Sequence, residues 1–195
     1  MIKALRPVAD LVVVAPDGPR SGSSGAITSV QPLQYSLIQQ EPGLFIYKCT
    51  GTPVDCIKLA LFDIVTRVPS MVIGGINHGD NSSVNVHYSG TMGVVIEGCL
   101  KGIPSVGFSL CNHAADADFS PVLPYVRSIV EKVLEKGLPN GTCLNVNFPD
   151  TAEIKGVRVC RQTNGVWINE FVKTENPRGG YSFWLTGDYC NLEMG

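Results

Sequence analysis

The chain has 195 residues, 44% of them hydrophobic, and a formal net charge of -2 with its lysines and arginines scattered rather than clustered. That length can bury a substantial core as one compact unit, and the charge pattern offers no basic face to a nucleic-acid duplex or an acidic membrane. The longest apolar runs, LVVVA (Leu11 to Ala15) and the segment around LALF (Leu59 to Phe62), fall far short of the roughly 18 residues a bilayer span requires. Arg6, Pro7 and Asp10 also interrupt anything resembling a signal peptide's apolar region, so a cytoplasmic location is expected.

The seven cysteines, Cys49, Cys56, Cys99, Cys111, Cys143, Cys160 and Cys190, are widely spaced and contain no C-x-x-C pair. This argues against a zinc site and against a disulfide scaffold. Several stand in apolar runs, where a reduced cysteine behaves as a small hydrophobe.

DLVVVAP (Asp10 to Pro16) reads as a strand buried on both faces, and the glycine- and serine-rich DGPRSGSSGAITS (Asp17 to Ser29) as a loop leaving its end. GLFIYKC (Gly43 to Cys49) is strand-like. A helix then starts with Thr52 as cap and Pro53 in its first position, and Ile57, Ala60, Leu61 and Ile64 form its apolar face. SMVIGGI (Ser70 to Ile76) is a strand that runs into GGINHGDNSSVNVHYSGT (Gly74 to Thr91), a stretch almost free of large apolar side chains. TMGVVIEGCLKG (Thr91 to Gly102) is helical, IPSVGFSL (Ile103 to Leu110) strand-like, YVRSIVEKVLEKG (Tyr125 to Gly137) an amphipathic helix, and TCLNVNFP (Thr142 to Pro149) a strand.

Alternating strands and helices predict a mostly parallel sheet with helices on both faces, and ligands at the carboxyl ends of its strands. Both polar loops, Asp17 to Ser29 and Asn77 to Thr91, leave such ends and are expected to form two walls of one site. Residues 1–155 are read as this α/β domain and 156–195 as a β-rich arm, with GVRVCRQ, GVWINEFVK and YSFWLTG as strands and NPRGGY as a turn. The arm's Trp167, Phe171, Tyr181, Phe183 and Trp184 either form a subunit contact or pack on their own domain.

YSGT (Tyr88 to Thr91) stands at a helix start, where first-turn amides and the hydroxyls of Ser89 and Thr91 suit a phosphate without any lysine. Ordinary capping by Ser89 or Thr91 is the competing reading. No Walker A loop and no G-x-G-x-x-G is present, which disfavours a P-loop enzyme or a dinucleotide dehydrogenase. His78 and His87 could act as general acids or be solvated loop residues, and Asp17, Asp55 and Asp80 could be catalytic carboxylates, turn residues or caps. No two carboxylates are adjacent anywhere in the chain.

VVAPDGPRSGSSGAIT, TGTPVDCIKLAL, GGINHGDNSSVNVHYSGTMGVVIEG, IPSVGFSL and LNVNFP resemble, in order and spacing, the survival protein E (SurE) family of 5'/3'-nucleotidases. The resemblance implies a Rossmann-like α/β fold with a β-hairpin arm used for oligomerisation, as a homodimer or homotetramer. It also implies hydrolysis of nucleoside 5'- and 3'-monophosphates dependent on magnesium or manganese, with short polyphosphate as a further substrate. Ser21 and Asn77 match the family's neutral metal ligands, and Gly79, Asn81, Ser89, Gly90 and Thr91 match its phosphate-holding loop and helix start. The family's adjacent aspartate pair, in an N-D-D-G motif ending a strand ahead of the helix onto which Met1 to Leu5 align, has no counterpart in these residues. A central first strand and a closing strand and tail are likewise expected to be missing, leaving sheet edges exposed and stability reduced. The alternative is a catalytically impaired fragment, or a non-catalytic phosphate-binding oligomerisation module.

Overall fold

Valine-rich LVVVAP forms β1 (Leu11–Pro16), which pairs in parallel with β3 (Leu44–Cys49); the other side of β3 carries antiparallel β2 (Tyr35–Glu41). A computed structural model describes residues 1–151 and 153–193, and these divide into two units, the smaller beginning at Val157 and taking in Ser82–Val84. In the larger unit a second sheet consists of β4 (Val72–His78), β5 (Ser105–Leu110) and β6 (Leu144–Phe148), all parallel and in that order. The Rossmann-like α/β architecture is therefore present, with its mostly parallel sheet in two three-stranded parts.

β1 and β4 each stand at an edge and have one ladder partner among the described residues. This corrects the expectation that β1 is buried on both faces: Val12 is 44% exposed, because no strand flanks β1 on its second side. β5, paired on both sides, is buried at all six positions.

The pleat of β5 sends alternate residues to opposite faces. Val106, Phe108 and Leu110 pack with Phe148 of β6 and with Val126, Val130 and Val133 of α4 (Leu123–Lys136), and Leu5 of α1 (Ile2–Leu5) joins the same core. The opposite face of β5 presents Ser105, Gly107 and Ser109, small residues that let α3 (Gly90–Leu100) lie close. A Cβ on Gly98 of α3 would stand 2.5 Å from Ser105 Oγ. α3 also packs on β4 and against α2 (Pro53–Leu59), which covers β1, so one helix pair spans both sheets.

α2 starts as its sequence predicts. Thr52 Oγ1 accepts from the Asp55 amide at 3.1 Å while the Asp55 carboxylate accepts from the Thr52 amide at 2.9 Å. The α-helix stops at Leu59 and a π turn over Ala60–Ile64 continues it. Asp55 is 2% exposed and also accepts from the Thr28 amide at 3.1 Å, which ties the loop after β1 to α2. Burial pushes this carboxyl up, but the hydrogen bonds from Thr28 and Thr52 outweigh it and hold it below its ordinary value. A depressed carboxyl stabilises the fold above the unfolded value of about 4, and that contribution is lost as pH falls through the folded value. Asp55→Ala is therefore expected to lower stability by about 2 kcal/mol at pH 7. Urea melts at neutral and strongly acidic pH check this, since the gap between wild type and variant should close in acid.

The smaller unit is antiparallel. β7 (Gly165–Ile168) pairs with β10 (Asp188–Asn191), and β8 (Phe171–Glu175) with β9 (Tyr181–Leu185). GVWINEFVK is split between β7 and β8 around Asn169, whose φ is +54°, and Gly179 and Gly180 at positive φ turn the β8–β9 hairpin. Residues 156–162 were expected as a strand but form no regular element; Arg161 instead grips Glu193 with two hydrogen bonds of 2.7 and 2.8 Å. Phe171, Phe183 and Trp184 are each more than 60% exposed. Among the described residues no helix is long and apolar enough to cross a membrane.

Candidate functional site

The two polar loops meet. The Ser24 amide donates to the Tyr88 carbonyl at 3.0 Å, and the Ser24 hydroxyl donates to the His87 carbonyl at 2.6 Å. Two glycines of α3 make room for this contact. A Cβ on Gly93 would fall 2.3 Å from the Ser24 carbonyl oxygen, and one on Gly90 would fall 2.6 Å from Ser23 Oγ. On the other side, a Cβ on Gly74 of β4 would stand 2.7 Å from the Thr91 carbonyl oxygen. The start of α3 is thus wedged between the loop leaving β1 and the body of β4, at the carboxyl ends of the two edge strands.

Ser89 caps α3, its Oγ accepting from the Met92 amide at 3.1 Å. The amides of Gly90 and Thr91 have no acceptor inside the helix, and they lie at its positively polarised end. Beside them Ser23 Oγ is buried with no hydrogen-bond partner among the described residues. A buried hydroxyl rarely stays unpartnered, and one next to free helix amides marks a place where an acceptor group fits. Ser89 caps the helix, as the simpler sequence reading has it, and the amides that follow stand beside Ser23.

The other expected phosphate residues lie deeper. Gly79 has φ +88°, and its amide donates to the carbonyls of Leu110 and Asn112 at 2.8 and 3.0 Å. Asn81 is 2% exposed: its amide donates to Asn147 Oδ1 at 2.7 Å, its Nδ2 to Ser109 Oγ at 2.6 Å, and its carbonyl accepts from Asn145 Nδ2 at 2.7 Å. Both residues are engaged inside the protein and anchor the loop to β5 and β6. Of the five, the structure gathers Ser89, Gly90 and Thr91 at one point and sets Gly79 and Asn81 in the support beneath. Sequence reasoning missed Ser23, Ser24, Asn145 and Asn147. The asparagines of LNVNF, both on one face of β6, were a signal for the last two.

Ser21 is exposed in a turn, and Asn77 Nδ2 donates to the carbonyls of His78 and Gly79 at 3.0 and 2.9 Å, leaving Oδ1 as its free acceptor. His78 Nδ1 is 3.1 Å from the Ala114 carbonyl and its ring meets Phe119 edge-on, while His87 is exposed. Asp17 pairs with Arg20 at 3.0 Å, and Asp80 accepts from Asn85 at 3.4 Å. No group of three or more His, Cys, Asp or Glu among the described residues could hold a metal ion. Magnesium and manganese want carboxylate oxygens, and two neutral ligands such as Ser21 and Asn77 do not make a cage for either. The residues present do not fit a divalent cation on their own.

Fold and site together define an α/β protein in which uncharged donors gather at a helix start, beside the loop leaving β1 and against β4. The chain belongs to the survival protein SurE family, whose profile matches residues 1–169. It is 68% identical over 193 residues to the 5'-nucleotidase SurE of Phocaeicola vulgatus, covering 99% of this chain and 75% of the relative. It is 60% identical over 194 residues to the protein of the same name in Bacteroides thetaiotaomicron, again with 75% of the relative covered. The crystal structure of the SurE protein from Aquifex aeolicus is similar at a TM-score of 0.79 and 34% identity, over 95% of this chain and 75% of that one.

Proposed function

We propose that the chain carries the phosphate-holding body of a phosphomonoester hydrolase acting on nucleoside 5'- and 3'-monophosphates, with short polyphosphate as a further substrate. The observation behind this reading is the start of α3, where the amides of Gly90 and Thr91 and the buried, unpartnered Ser23 hydroxyl converge. Its 5'-nucleotidase part agrees with the names of the relatives. Phosphate oxygens would accept from these amides and from the Ser23 and Thr91 hydroxyls. Fixed neutral donors of this kind stabilise the charge that builds on phosphoryl oxygens in the transition state.

A divalent cation, magnesium or manganese, belongs to the proposal, with Ser21 and Asn77 as neutral ligands that need carboxylate partners to hold it. So do a homodimer or homotetramer joined through the exposed aromatic hairpin, and a cytoplasmic location. The second reading is a non-catalytic phosphate-binding module, and it is favoured by the lack of a metal-holding cluster among the described residues.

Calorimetric titration with adenosine monophosphate tests the site, and phosphate release with added manganese separates the readings. Thr91→Val and Ser23→Ala should each weaken binding by about tenfold, as expected for losing one hydrogen bond to a charged group. Release abolished by chelator and by Asn77→Ala supports the hydrolase. Binding without release supports the module, and neither binding nor release refutes both.

A further inference from the structure

The larger unit holds two pairs of neighbouring thiols. Cys49, ending β3, and Cys56, in α2, are sealed from solvent at 0% and 1% exposure. Cys99, in the last turn of α3, and Cys143, just ahead of β6, are only half-buried.

Three observations bring the second pair together. The β5–β6 ladder sets Val106 opposite Leu144, so Ser105 and Cys143 are neighbours one step earlier. Gly98 sits directly on Ser105, and the next residue along the helix is Cys99. The Cys99 side chain is in turn near enough to the Cys143 thiol to push it up. Strand alternation agrees, because Cys143 shares a face with Asn145 and Asn147, which follow the α3-facing residues Gly107 and Ser109 in the register.

We infer that Cys99 and Cys143 form a reversible disulfide, a thiol-oxidation site that pins the last turn of α3 to the entrance of β6. The oxidant class is a low-molecular-weight disulfide such as oxidised glutathione. Burial, and then the neighbouring Cys99, push the Cys143 thiol up; Cys99, in the last turn of α3, is the first to exchange. The Cys99 thiolate bonds to one sulfur of the small disulfide and expels the other as a thiolate. Cys143 then loses its proton, its sulfur bonds to Cys99 Sγ, and the remaining small thiolate leaves. The protein gives up two protons and two electrons, and the small disulfide becomes two thiols. Cys49 and Cys56 serve as an internal comparison: burial pushes the Cys56 thiol strongly up, and neither sulfur is open to an oxidant.

The test is to equilibrate the native chain in an oxidising glutathione buffer, quench with acid, alkylate, and map the peptides by mass. The expected result is a Cys99–Cys143 linked peptide as the dominant internal cross-link, with both of these thiols lost to alkylation and recovered after dithiothreitol, while the exposed Cys111 and Cys160 take up glutathione singly. Cys143→Ser should leave Cys99 holding glutathione as a mixed disulfide, with no internal link. Free alkylation of both cysteines in the wild type after equilibration overturns the inference, as does separate glutathione on each. Both outcomes are read on the wild-type chain, so neither depends on a variant folding.

Discussion

Replacing Gly93 with valine is expected to destabilise the chain by about 3 kcal/mol, the upper range for forcing volume into a packed contact, and to remove most of its phosphate affinity. The new Cβ would stand 2.3 Å from the Ser24 carbonyl oxygen and 3.0 Å from Val54 Cγ2, and neither a backbone oxygen nor a packed helix can yield that much. The loop after β1 would have to leave α3, breaking the Ser24 bonds to His87 and Tyr88 and carrying Ser23 away from the helix start. Urea melts and calorimetric titration with phosphate measure both effects. Gly25→Ala in the same loop is the control: nothing lies within 4 Å of its Cβ position, so a change within about 0.5 kcal/mol is expected. A Gly93→Val chain that binds and melts like wild type would show that the loop is not held against α3.

The second large effect concerns β1 and β4. Each offers an unpaired ladder edge among the described residues, whereas a parallel sheet normally keeps such edges at its margins and covers them. Several hydrogen bonds at about 1 kcal/mol each, with the apolar cover a neighbouring strand supplies, amount to roughly 5 kcal/mol. For a chain of this size that is a melting temperature some 10–20 °C below that of the P. vulgatus relative, of which the chain spans 75%. Scanning calorimetry of the two proteins side by side checks it. Equal, cooperative melting would mean that the edges of β1 and β4 carry no penalty.

Much of the larger unit could be read from the sequence because its signals are local. Thr52, Pro53 and Asp55 write the start of α2 into three positions, and the spacing of Val126, Val130 and Val133 gives α4 its buried face. YSGT announces the start of α3 in the same way. What escaped depends on partners distant in the chain. β2 (YSLIQQE) is polar at its end and exposed along most of its length, so no alternation betrays it; it forms because β3 offers an edge. Whether LVVVA is buried on both faces is decided by strands beside it, not by its valines. In the site, Ser89 and Thr91 stand out by position, but Ser23 matters only because Gly90 leaves room for it. The family resemblance makes Asn81 a phosphate residue, and it is enclosed because Asn145 and Asn147 come from a strand more than sixty residues away.

β5 has a ladder on each side and is buried at every position, with α3 resting on its Ser105, Gly107 and Ser109 face. Its amides should be among the last to exchange with deuterated solvent, while those on the open sides of β1 and β4 exchange early. Met92, Val95 and Gly98 of α3 rest on this slowest-opening strand, whereas the helix start at Gly90 and Thr91 leans on the loop after β1 and on β4. Breathing of the outer strands is therefore expected to reach Gly90 and Thr91 before it reaches the rest of α3.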